Sequence, residues 1–75
     1  MNNTKLTELA NELKDTASRT SPGKTQHNLQ LLADACTFLT MGDQDSSVKM
    51  VELINLKGDR AIEGGMIRFL KILLE

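Results

Sequence analysis

The side chains able to do chemistry in this chain are few and scattered. His27 and Asp34 stand seven residues apart, two helical turns along roughly the same side, where an imidazole could act as a general base beside a carboxylate. Such a pair needs a nucleophile or a substrate pocket next to it, and the sequence marks neither. His27 therefore reads as an exposed residue in the first turn of a helix. Cys36 falls among apolar neighbours, where a thiol behaves as a small hydrophobe with a raised pKa rather than as a nucleophile.

Gly23-Lys24-Thr25 has the ending of a phosphate-binding loop. The full pattern needs a glycine five residues before Gly23 and a preceding buried strand; here that position is Ser18 and the preceding segment reads as a helix. An ordinary helix entry remains. The pairs Asp43, Asp45 and Asp59, Glu63 invite a calcium reading, but the loop spacing fails at Ser47 and Val48. Both acidic pairs also fall where helices are expected to begin, and negative charge is favoured there without any ligand. A single cysteine closes no internal disulfide, and a single histidine has no second soft ligand at zinc spacing. These residues predict no enzymatic activity, no metal and no cofactor.

The elements that must position these side chains are clearer than the chemistry. Residues 25–41, TQHNLQLLADACTFLTM, put Leu29, Leu31, Leu32, Ala33, Ala35, Cys36, Phe38 and Leu39 on an arc of roughly 220° at 100° per residue. A helix that apolar needs cover from two or more directions. Gln26, Gln30, Asp34 and Thr37 form the narrow strip left for water. Residues 3–19 place Leu6, Leu9, Ala10, Leu13 and Ala17 on one helical face, with Asn3 or Thr4 as N-cap and Asp15 and Arg19 spaced for an ion pair. Lys5, Glu8, Glu12 and Asp15 make its solvated side.

Pro22 and Gly23 break the pattern across residues 18–24, and Ser21-Pro22 offers an alternative start for the second helix. Gly42 suits a left-handed helix stop, and residues 43–47, DQDSS, read as a polar connection. Residues 48–57 fit neither a period of 3.6 nor strict alternation. A short helix is preferred to a strand, because Asp45 or Ser46 offers an N-cap, Gly58 a stop, and no partner strand is present elsewhere. From Asp59, a capping residue, the chain sets Ile62, Met66, Phe69, Leu70 and Leu73 on one face with Arg68, Lys71 and Glu75 opposite. Gly64 and Gly65 inside that segment cost about 1 kcal/mol each relative to Ala. Either they break it, so that the last helix begins near Met66, or they admit a close neighbour.

The expectation is one all-α domain spanning residues 1–75, a small bundle of three to four helices around a central apolar helix. Its charge of −1 and pI near 5.8 do not provide the concentrated positive face that phosphate neutralisation needs. No apolar run approaches the ~20 residues of a membrane span, and residues 1–12 lack the pattern of a secretion signal. A cytoplasmic protein without membrane contact is expected.

What remains is surplus apolar surface. Leu53, Ile54, Leu56, Ile67, Ile72 and Leu74 exceed what one small bundle turns inward. They predict a protein-binding face, used by a homo-oligomer or by a partner that this accessory or regulatory protein inhibits or adapts. A dimeric DNA-binding regulator is the alternative, with residues 48–57 as recognition helix and Lys49, Asn55, Lys57 and Arg60 carrying the contacts. That segment has few Arg, Gln or Asn side chains with which to read base edges.

Overall fold

The computed structural model describes residues 2–75. Four helices follow one another: α1 (Asn3–Ser18), α2 (Lys24–Thr40), α3 (Gln44–Leu53) and α4 (Arg60–Leu73). Each begins or ends for a local reason. Asn2, one residue earlier than Asn3, caps α1 by accepting from the Lys5 N–H at 3.0 Å. Gln26 closes its other end, donating from Nε2 to the Ala17 and Thr20 carbonyls. The α2 helix begins at Lys24 after Gly23, which makes no side-chain cap, so the start at Ser21-Pro22 is not used.

The α2–α3 corner is the tightest in the chain. Gly42 adopts φ +80°, the Gly42 N–H donates to the Leu39 carbonyl and the Asp43 N–H to the Phe38 carbonyl. These are the paired bonds of a Schellman helix end. Asp43 then caps the next helix at once, its Oδ1 accepting from the Ser46 N–H at 3.0 Å and its Oδ2 from the Ser46 hydroxyl at 2.7 Å. Residues 44–47 are thus the first turn of α3 and not a connection, and the cap is Asp43 and not Asp45 or Ser46. The helix stops at Leu53, before Ile54 in extended conformation. Gly58 lies in the turn beyond and ends no helix.

Asp59 caps α4 as its sequence position suggests, accepting from the Ile62 N–H. The helix runs unbroken through both glycines. A Cβ on Gly65 would stand 3.0 Å from Leu32 Cδ2 and 3.2 Å from Leu13 Cδ2, so the close neighbours are leucine side chains of α1 and α2. A Cβ on Gly64 would meet nothing within 4 Å.

The core joins Leu6, Leu9, Ala10, Leu13 and Ala17 of α1 to Leu29, Leu32, Ala33, Ala35 and Cys36 of α2, closed by Ile62 and Phe69 of α4. Burying each leucine or isoleucine fully contributes about 1.5–3 kcal/mol. The α2 helix packs against α1, α3 and α4; α1 also meets α4, whereas α3 and α4 do not pack on one another. Ion pairs Lys5–Glu75 and Glu12–Arg68 tie α1 to the last helix and its end, and Asp15–Arg19 spans 2.7 Å within α1 and its cap. All three are exposed and add little to stability. No helix of the described residues is long and apolar enough to cross a membrane.

Candidate functional site

Because α3 and α4 both lie on α2 with no close backbone approach to each other, a groove runs between them. Leu39 of α2 and Phe69 of α4 line it together with Val48 and Val51 of α3 and Leu70 and Leu73 of α4; Gln44, Ser47 and Glu52 supply the polar atoms. Its volume is about 430 Å³. Ser47, almost fully buried, donates its hydroxyl to the Ala35 carbonyl at 2.8 Å and so presents no free donor to the groove. Val48 keeps 54% of its surface and Leu70 49%.

The groove has the size of a small-ligand pocket but carries no imidazole, thiol or paired carboxylates. His27 is exposed on α2 and is not among the lining residues. Cys36 is wholly buried, and burial pushes its thiol up to about 11, well away from nucleophilic character at neutral pH. Among the described residues no three His, Cys, Asp or Glu side chains converge as metal ligands would. Asp43 and Asp59 act as helix caps, while Glu63 lies in the first turn of α4.

The six residues singled out for protein contact divide. Ile67 stands free on α4 and Leu74, 86% exposed, at its C-cap, and Leu53 and Leu56 are exposed at the end of α3 and beyond it. Ile54 and Ile72 are only partly exposed, because they pack against the core. None of the six lines the groove. Val48, Leu70 and Met41 are the exposed apolar residues that the sequence reading left out. Leu70 in particular was expected inward; α4 turns its inner face toward Ile62, Gly65 and Phe69, which leaves Leu70 at the margin.

The residues of the nucleic-acid alternative are not gathered on one helix. Lys49 lies on α3, and Asn55 and Lys57 lie in the following loop. Arg60 opens α4. Asn55 is taken up by structure: its N–H donates to Asn28 Oδ1, its carbonyl accepts from Asn28 Nδ2 at 2.7 Å, and its side-chain oxygen accepts from the Lys57 N–H. The Lys57 carbonyl accepts from Lys24 Nζ.

Asn28 is the residue of consequence that the sequence reading passed over. It is buried, and its amide also donates to Asp59 Oδ2 at 3.1 Å, so one side chain holds both the 54–59 loop and the cap of α4. Asp59 is covered but shallow, at 4% exposure. Burial pushes its carboxyl up, and hydrogen bonds from Asn28, the Ile62 N–H and Thr25, with the charge of Lys24, outweigh that and hold it below the usual carboxylate range. The signal was present: Asn28 falls within the apolar arc of α2, where a polar group requires a partner.

Compared with known protein families, with curated proteins and with solved structures, the chain matches none.

Proposed function

We propose that this chain is a non-catalytic protein-binding module, an accessory or regulatory protein of the cytoplasm that acts as a homodimer and inhibits or adapts a larger assembly. The observation that carries the reading is the groove between α3 and α4: apolar in its floor and walls, equipped with no reactive group, and leaving Val48 and Leu70 half exposed. Burying such surface against another protein is favourable at roughly 25 cal/mol per Å². Glu52 on the rim favours an apolar ridge bordered by a basic side chain. In this reading α2 is the axis of the bundle, since each of the other helices packs on it, and α3 and α4 are the walls it holds apart.

A photoreactive amino acid at Glu52 tests the groove. It is expected to cross-link a discrete protein in native extract, and Val48→Asp is expected to abolish that product while leaving the helical circular dichroism unchanged. Identical products from both proteins would end the reading. Binding of duplex DNA that falls steeply between low and physiological salt would instead favour the regulator, with Lys49, Asn55, Lys57 and Arg60 as its exposed contacts.

A further inference from the structure

The outer face of α4 carries a pattern that the bundle does not use. Glu63, Ile67, Leu70 and Leu74 follow one another at spacings of four, three and four residues. At 100° per residue they fall within an arc of about 60°, the seam of a two-helix coiled coil. All four are exposed, and none belongs to the buried cluster that α4 shares with α1 and α2. Gly64 and Lys71 border this seam on one side. Gly64 has open space where a Cβ would stand, and its cost to the helix has no explanation inside one chain.

We infer that a second copy of this chain occupies the seam, its α4 lying antiparallel to the first about a two-fold axis. Charge chooses both the occupant and the direction. Glu63 and Lys71 are exposed, and among the described residues neither takes part in an ion pair, those found being Lys5–Glu75, Asp15–Arg19 and Glu12–Arg68. In a parallel pair Glu63 would face Glu63 of the second copy, a like-charge contact at the seam. In the antiparallel pair each Glu63 moves to the last turns of the other helix, beside Lys71 of the second copy, and the ion pair forms twice by symmetry. Ile67 and Leu70 of one copy then meet Leu70 and Ile67 of the other at the centre. Gly64 leaves room for the lysine stem that crosses it.

The surface is small. A standard interface covers about 800 Å² per partner, about a sixth of this chain's 4797 Å², and one helix seam falls short of that. The dimer is therefore concentration-dependent. This inference rests on the self-association in the proposed function and not on what fills the groove; Leu70 belongs to both surfaces, so it is left untouched in the test.

Light scattering of the full chain at two concentrations, with sedimentation to obtain dissociation constants, decides the matter. The native protein is expected to approach twice 8.3 kDa at the higher concentration. Ile67→Glu and, separately, Leu74→Lys are expected to remain monomeric with native circular dichroism, whereas Asn11→Glu, exposed on α1, keeps the native dissociation constant. Glu63→Lys weakens the dimer about tenfold, as two exposed ion pairs turned repulsive would, and Glu63→Lys combined with Lys71→Glu restores it. A native monomer at both concentrations overturns self-association and the seam together. A dimer indifferent to Ile67→Glu and Leu74→Lys overturns the seam alone, and a double variant no tighter than Glu63→Lys overturns the antiparallel pairing.

Discussion

The two halves of the molecule solve the same problem differently. In α1 and α2 nearly every apolar side chain is spent inside: Leu6, Leu9, Leu13, Leu29 and Leu32 are buried, and Cys36 is sealed among them. In α3 and α4 the apolar side chains outnumber the neighbours available, and Val48, Leu53, Ile67, Leu70 and Leu74 stay in contact with water. The caps differ as well. Asn2 and Gly23 precede α1 and α2, whereas the aspartates Asp43 and Asp59 hold α3 and α4. The first half therefore spends its apolar side chains on the core, whereas the second adds Ile62 and Phe69 to that core and also offers surface.

The sharpest way to break that contrast is to empty the buried half. Leu32→Ala removes a wholly buried side chain between α1, α2 and α4 and is expected to cost about 2–5 kcal/mol in chemical denaturation. A loss no larger than that of Val48→Ala would refute the division. Next comes the stitch between the halves. Asn28→Ala deprives Asn55 and Asp59 of their partners and is expected to cost about 1–3 kcal/mol, with amide exchange accelerated in residues 54–62 before it changes in α1. Uniform acceleration across all four helices would show that Asn28 is not a local clamp.

The paired glycines give a smaller, signed effect. Gly64→Ala, in open space, is expected to stabilise the chain by up to about 1 kcal/mol when measured in dilute solution. Gly65→Ala forfeits that gain, because its methyl lands against Leu32 and Leu13. Equal gains would mean that the buried seam is loose enough to take an extra carbon.

Acid provides the mildest probe. Asp43 lies below its ordinary pKa because the Ser46 hydroxyl and N–H donate to it, and Asp59 because the bonds described above outweigh its burial. A carboxyl lower in the folded than in the unfolded chain binds fewer protons when folded, so its stabilisation is present above about pH 4 and is lost as pH falls through the folded value. Helical signals from α3 and α4 are expected to weaken below that pH before those of α1, whose cap does not titrate. Simultaneous loss would place the acid-sensitive groups elsewhere.

Much of the fold was legible in the sequence because α1, α2 and α4 carry strong periodic patterns and because Gly42 and Asp59 are stops and starts of ordinary chemistry. The first turn of α3 was not, since residues 44–47 are polar and contribute nothing to an apolar period; only the Asp43–Ser46 bonds reveal it. The groove was not legible for a related reason. It depends on which side of α3 meets α2, and the weakly amphipathic run of residues 48–53 leaves that open until buried Ser47 fixes it. The exposed α4 residues were easier. Ile67 and Leu74 lie off the face that carries Ile62 and Phe69, and a helical projection separates them at once.

The corner at Gly42 has a further consequence. With α3 joined to α2 by the Asp43–Phe38 and Ser47–Ala35 bonds, and the cap of α4 joined to α2 through Asn28, both helices that wall the groove are tied to α2 by hydrogen bonds. A visitor would find the slot preformed. Docking there is expected to run as a single bimolecular step whose rate rises linearly with concentration, with no plateau from a slow rearrangement.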